Sequence, residues 1–136
     1  MIRDIVKDPI FLAQPSEAAT AEDAWIAVDL IETLAHHAVG CVGMAANIIG
    51  IRKKVIVFYY GDMPIVMFNP EITRSEGPYD TEEGCLSLTG VRPCKRYEKI
   101  KVRFQNERMQ KITRSYAGFT AEIIQHEIDH CKGIVI

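Results

Sequence analysis

The chain has 136 residues, of which 48% are hydrophobic, so we expect a single domain over residues 1–136 whose core is large enough to fold without disulfide bonds. A net charge of −2, without a Lys/Arg run interleaved with aromatic residues, argues against nucleic-acid binding. No apolar run approaches the roughly 20 residues of a membrane span, and the first residues lack the apolar core of a signal peptide, so we expect no membrane segment and a cytoplasmic location.

The first twenty residues contain Pro9 and Pro15 and predict an irregular arm whose Ile10-Phe11-Leu12 patch contacts the rest of the domain. A helix is predicted from Ala21 to about His37, because apolar residues recur there every three or four positions. Residues 39–50 are small, apolar and punctuated by glycine. Such a composition lets the backbone approach a neighbour or a ligand closely.

The middle of the chain predicts a series of β-strands. Val55 to Tyr60 is β-branched and aromatic, which is typical of a buried strand. Further segments with strand patterns are residues 65–68, 71–81 with a break at Gly77-Pro78, 100–104 and 111–116. A last helix follows Gly118, with Thr120 as its expected cap and Gly133 as its end. This order predicts an α+β fold: an antiparallel-rich sheet packed around the C-terminal helix, together with an N-terminal helix.

The last helix contains the sequence Gln125-His126-Glu127-Ile128-Asp129-His130. On a helix, His126 and His130 project from one face, one turn apart, which suits a shared divalent metal ion. Glu127, next to the first His, supplies the carboxylate that a metal-activated water needs as a proton acceptor. The alternative is an ordinary amphipathic helix with both His half-exposed. We expect a metal-binding helix.

A catalytic metal ion needs a third protein ligand, and only six residues follow His130. The four cysteines form no Cys-x-x-Cys motif, so we expect reduced thiols rather than a zinc ribbon or a disulfide scaffold. Among them Cys85 is the best candidate ligand, because Gly84 permits close approach and its other neighbours are polar. A buried, inert thiol remains the alternative at this point.

Glu83-Gly84-Cys85-Leu86-Ser87, taken together with the His126–His130 segment, resembles two motifs of the peptide deformylases, and the similarity extends over nearly the whole chain. The resemblance implies that Cys85, His126 and His130 hold one divalent metal ion. In many relatives this is ferrous iron, with zinc or nickel able to occupy the site. It also implies that Glu127 moves the proton of a bound water, and that the reaction removes the N-formyl group from peptides beginning with formylmethionine, releasing formate.

By the same resemblance, the oxyanion is stabilised by the metal, by the backbone N–H of Leu86 and by the side-chain amide of a Gln. Here the sequence departs from the family pattern, because Ile48 stands where that Gln is expected. Loss of one oxyanion donor costs about 100- to 1,000-fold in rate. Asn47 carries a side-chain amide one position before the expected Gln, which makes it a doubtful oxyanion donor. The alternative is a turn residue that bonds to its own backbone.

The residues expected to contact substrate are Val42, Gly43, Gly84 and Arg92. Met44, Ile123 and Phe119 are further apolar candidates for the walls of a methionine-sized pocket. Arg96 is expected to pair with Asp129 behind the His helix. We interpret Glu122 as solvated surface, with an extra carboxylate near the site as the alternative.

The resemblance therefore implies a metal-dependent hydrolase that acts on N-formylated nascent peptides as a monomer, with the ribosome as a further expected partner. The alternative is a catalytically weak relative that keeps the metal and the fold but binds peptide N-termini, or a partner, without efficient turnover. Ile48 favours this alternative. The intact Cys85, His126, Glu127 and His130 favour the enzyme.

Overall fold

The computed structural model describes all 136 residues and has the predicted α+β architecture. The helices are α1 (Pro9–Leu12), α2 (Trp25–His36) and α3 (Gly118–Cys131), with short 3₁₀ helices at Ala21–Asp23 and Ala46–Ile49. The strands are β1 (Gly43–Ala45), β2 (Val55–Tyr60), β3 (Met63–Cys85), β4 (Leu88–Gln105) and β5 (Lys111–Ala117). No helix combines the length and the apolar character that a bilayer span requires. All four cysteines are free thiols.

The five strands form one sheet in chain order, and every neighbouring pair is antiparallel. The predicted bounds of β2 are confirmed, and its sequence is continuously apolar because both of its faces are covered. Val55 and Val57 pack in a core cluster with α2, whereas Ile56 and Phe58 pack in a second cluster with α3. The sheet therefore separates the N-terminal helix from the helix that carries the His pair.

The predicted break at Gly77-Pro78 is wrong, because both residues lie inside the 23-residue strand β3. Gly77 has a φ of 69°, and Pro78 pairs with Tyr97 of β4. Strand β2 pairs with β3 only as far as Phe68, so the later part of β3 has a free edge on that side. A proline without an N–H is tolerated at such an edge. β3 and β4 consequently form a long hairpin that ends at Cys85.

The last helix begins earlier than predicted. Ala117 is extended and Gly118 has a φ of 63°, so the chain turns directly from β5 into α3 and leaves Thr120 inside the first turn rather than at the cap. The predicted end is confirmed. Gly133 follows the helix with a φ of 78°, and a Cβ there would lie 2.6 Å from the carbonyl oxygen of Ala13. The N-terminal arm thus packs closely against the end of α3.

Candidate metal centre

Helix α3 brings the two predicted His ligands together. The Nε2 atoms of His126 and His130 lie 3.0 Å apart, and both side chains are largely buried, with exposed fractions of 9% and 2% for the residues. The one-turn spacing places both rings on the same face of the helix, as the sequence predicts. Two imidazole nitrogens therefore face a single point inside the protein.

Cys85 approaches the same point from the end of β3. One ligand atom from each of Cys85, His126 and His130 lies within 4.8 Å of the others. A two-residue turn, Leu86-Ser87, leads from Cys85 back into β4, so the thiol sits at the tip of the long hairpin. Two imidazoles and a thiolate with a remaining open side suit a catalytic divalent cation. The donor set therefore fits a metal ion.

Glu83 fixes the orientation of His126. Its Oε1 lies 2.7 Å from His126 Nδ1, which leaves Nε2 directed at the candidate metal position. Glu83 is in turn held by Arg96, whose Nε and Nη2 donate to the carboxylate at 3.0 and 2.7 Å. Arg96 Nη1 also donates to Asp129 Oδ2 at 2.7 Å, so the predicted pair of Arg96 with Asp129 is confirmed. A carboxylate partner of this kind orients a ligating His and raises its basicity.

The groups around the His pair stabilise one positive charge at this point, which His126 carries when no metal ion is bound. Burial raises the pKa of Glu83, but hydrogen bonds with His126 and Arg96 outweigh burial and hold that pKa well below its usual range. Burial lowers the pKa of His126, yet hydrogen bonds with Cys85 and Glu83 raise it to about 10. Burial and the neighbouring His126 lower the pKa of His130 to about 3, which keeps that imidazole neutral and ready to ligate.

Glu127 lies beside this centre in a dry environment. Glu127 is only 5% exposed, and burial raises the pKa of its carboxyl group to about 7. A carboxyl group with a pKa near neutrality can both accept and return a proton at physiological pH. Gly43 makes room for it, because a Cβ at position 43 would lie 3.0 Å from Glu127 Oε2 and 2.7 Å from Ile123. The need for glycine at position 43 is therefore local and steric.

A cavity of about 500 Å³ opens in front of Glu127 and His126. The expected substrate residues Val42, Gly43 and Gly84 line it, as does Leu86. Met44, Ile48, Phe119 and Ile123 supply most of the remaining apolar surface. The cavity therefore joins an apolar region to the point where the His and Cys side chains converge.

Three other residues differ from their expected places, whereas Ile48 lies where it was expected. Asn47 lies outside the lining and is 1% exposed, and its amide donates to the His130 carbonyl at 3.0 Å rather than towards the cavity or to its own backbone. Ile48 does line the cavity but offers no donor. Arg92 is not in the lining, and its Nη1 is buried without a partner. Glu122 lines the cavity, half-buried, rather than lying on solvated surface.

Glu83 is the functional residue that the sequence reasoning missed. From the sequence, Glu83 contributes only to the polar setting of Cys85. The signal was available, because residues two apart on a strand project from the same face. Glu83 and Cys85 meet this condition within β3, so both side chains reach His126.

Comparisons with known proteins agree with this geometry. Residues 2–136 match the family model described as polypeptide deformylase. The chain is 50% identical to the peptide deformylase of Clostridium beijerinckii over the full length of both proteins. It is 42% identical to that of Desulforudis audaxviator, with 94% of this chain and 85% of the relative covered. These relatives give no support to the alternative of a weak paralogue.

Solved structures give the same result. The crystal structure of the peptide deformylase from Thermotoga maritima superposes with a TM-score of 0.89 at 30% identity, covering 99% of this chain and 95% of the other. A Met-Ala-Ser-bound peptide deformylase from Acinetobacter baumannii superposes with a TM-score of 0.88 at 28% identity, covering 99% and 97%. The chain therefore belongs to the peptide deformylase family, the metal-dependent hydrolases that remove the N-formyl group from N-formylmethionyl peptides and release formate.

Proposed function

We propose that Cys85, His126 and His130 hold one Fe²⁺ ion, with Zn²⁺ or Ni²⁺ able to replace it, and that Glu127 is the catalytic acid and base of the deformylation reaction. The observation that carries this proposal is the convergence of the three donor atoms, all within 4.8 Å of one another, beside a buried carboxyl group. The mixed thiolate and imidazole donor set is compatible with each of these ions.

The chemistry divides between the cation and the protein. A bound divalent cation would make a water molecule acidic at neutral pH and polarise the formyl oxygen. Glu127 accepts the proton of the attacking water and then delivers it to the amine that leaves. Burial of Glu127 raises its pKa and so supports the second step, in which the carboxyl group holds a proton, while an adjacent cation favours the charged form needed before attack. Glu83 and Arg96 act as positioning residues because they orient His126.

The developing oxyanion has fewer protein donors than the family pattern provides. The backbone N–H of Leu86, at the hairpin tip, is the donor we assign, since Leu86 lines the cavity beside Cys85. Ile48 cannot donate, and the amide of Asn47 is directed at His130. We therefore expect transition-state stabilisation to depend more heavily on the cation and on Leu86 than where a Gln is present.

The substrate is a short formylated chain end. The Acinetobacter protein is described as bound to Met-Ala-Ser, a deformylated product sequence, and this supports a similar mode of binding here. The apolar walls at Val42, Met44 and Ile123 suit a methionine side chain, while Gly43 and Gly84 let the peptide backbone approach closely. We further propose that Arg92 contacts the peptide beyond the cavity, and that the chain acts as a cytoplasmic monomer on nascent peptides at the ribosome.

The test is formate release from formyl-Met-Ala-Ser by protein prepared without oxygen and loaded with iron, run beside Glu127→Ala and Ile48→Gln. We expect robust wild-type activity, because the ligands and the base are complete, and its loss in Glu127→Ala with bound metal retained. Wild-type protein without activity, rescued strongly by Ile48→Gln, would instead show that the missing donor limits the reaction. Activity that persists in Glu127→Ala would remove Glu127 from its assigned role.

A further inference from the structure

The two His side chains of the centre are supported unequally. His126 Nδ1 has a carboxylate partner, Glu83 Oε1, at 2.7 Å, whereas His130 Nδ1 is buried and makes no hydrogen bond. The Nε2 atoms of the two rings face each other at 3.0 Å, so Nε2 is the atom through which His130 would ligate a metal ion. A neutral imidazole that ligates through Nε2 carries its proton on Nδ1, and this N–H almost always has an acceptor. His130 therefore needs an acceptor of its own.

The side chain of Asn47 offers that acceptor. Its Nδ2 donates to the His130 carbonyl at 3.0 Å, and its Oδ1 is buried without a partner. The contact fixes the orientation of the amide, because a carbonyl oxygen only accepts and must face the NH₂ group. The oxygen of the same amide is consequently left beside His130. Two hydroxyls, those of Ser16 and Ser87, are also buried without a partner, but they are not anchored on His130 by a side-chain hydrogen bond.

The unpaired atoms of Asn47 and His130 complement each other. Oδ1 can only accept, and the Nδ1–H of a ligating His130 can only donate. The two residues are 1% and 2% exposed, so bulk solvent does not satisfy either atom. A buried polar atom without a partner is unfavourable, and one hydrogen bond or one bridging water would satisfy both atoms together.

We propose that Asn47 is a positioning residue of the metal centre: its Oδ1 accepts the Nδ1 proton of His130, directly or through one ordered water, and so directs Nε2 at the metal ion. The inference rests on the proposed metal centre. One amide then holds His130 at its main chain and at its ring, while Glu83 holds the ring of His126. Because the amide is neutral, it orients the second ring without adding another buried negative charge beside Glu83.

The affinity of the full chain for Zn²⁺, measured by competition with a chromophoric chelator, tests this role. Asn47→Ala should weaken binding about tenfold or more, as loss of a partner behind a ligating His does. Asn47→Asp loses the Nδ2 donor but keeps an acceptor oxygen, so it should bind Zn²⁺ within about twofold of wild type or more tightly, because a carboxylate raises the basicity of the ligand. A purely structural role through the His130 carbonyl would make Asn47→Asp as weak as Asn47→Ala, and that result overturns the inference.

Two matched variants remove the other unpaired oxygens. Ser16→Ala and Ser87→Ala each delete a buried hydroxyl without a partner, and both should keep the Zn²⁺ affinity of the wild type. A loss of affinity in either variant, with wild-type affinity in Asn47→Ala, would assign the acceptor to that serine instead and overturn the inference.

NMR of Zn²⁺-loaded, nitrogen-15-labelled protein gives a readout that does not depend on activity or on variant stability. In the wild type we expect the His130 proton on Nδ1, protected from exchange with water by its acceptor. The His126 signal is the internal control, because Glu83 is unchanged in Asn47→Ala, and only the His130 proton should be lost to exchange in that variant. An unprotected His130 Nδ1 proton in the wild type overturns the inference, whereas wild-type protein that binds no Zn²⁺ contradicts the proposed metal centre itself.

Discussion

Replacement of Arg96 by Met tests the ion-pair cluster behind the metal centre. The guanidinium contacts both oxygens of Glu83 and one oxygen of Asp129, at 2.7 to 3.2 Å, and the side chains of Arg96 and Glu83 are 4% and 8% exposed. Met has a similar length but no charge, so Glu83 would lose the cation that contacts both of its oxygens and keep only its hydrogen bond with His126. Breaking a buried pair in this way costs about 3–5 kcal/mol, and we expect the free energy of unfolding to fall by that amount.

Urea unfolding of metal-free protein measures the loss directly. Glu83→Gln and the Arg96→Met/Glu83→Gln double variant complete a double-mutant cycle. The loss of unfolding free energy in the double variant should be about 1–3 kcal/mol smaller than the sum of the losses in the two single variants. Arg96→Lys keeps the charge without the forked contact and should fall between wild type and Arg96→Met. A loss below about 1 kcal/mol in Arg96→Met, or an additive cycle, would refute the reasoning.

The remaining predictions concern the buried groups around the centre. Asn47→Ala should lower the free energy of unfolding by about 0.5–1.5 kcal/mol, because the His130 carbonyl loses one hydrogen bond but keeps that from the Gly133 N–H at 3.0 Å. It should slow formate release less than about tenfold; a 100-fold or larger loss with full metal content would make Asn47 an oxyanion donor. Gly43→Ala should lower kcat by about 100-fold, because the new Cβ would meet Ile123 at 2.7 Å and displace Glu127; an unchanged kcat contradicts this. Carbon-13 NMR of metal-free protein should give Glu127 a pKa near 7, and Zn²⁺ binding should lower it, since an adjacent cation favours the carboxylate.

The metal helix was predictable because its chemistry is local. His126, Glu127 and His130 lie within five residues, and helical geometry alone brings the two rings to one side. Strand β2 was equally predictable, since a continuous apolar run indicates a strand that is buried on both faces. Its neighbours made Cys85 the best candidate for the third ligand, but only the family resemblance argued against an inert thiol, because 41 positions separate Cys85 from His126 and no spacing rule bridges that distance.

The parts that sequence reasoning missed depend on tertiary contacts. Pro78 indicated a break because the sequence does not reveal that β2 ends at Phe68 and leaves an edge of β3 free. Asn47 was considered as a possible oxyanion donor because its amide is near the correct position, and only the packed structure directs that amide to the His130 carbonyl. The sequence predicts a solvated Glu122 because a charged side chain on a helix usually faces solvent, and only the packed structure places it in the cavity lining.

The position of Cys85 at the tip of the β3–β4 hairpin has a consequence for local stability. A cation held by Cys85 and the two His residues of α3 closes a loop of about 40 residues, as a cross-link does, and reduces the entropy of the opened hairpin. The free energy of metal binding is then added to the opening free energy of this segment. Chelation should release the hairpin tip before the sheet, so amide exchange would accelerate first around Gly84 to Gly90 while β2, covered on both faces, keeps its protection.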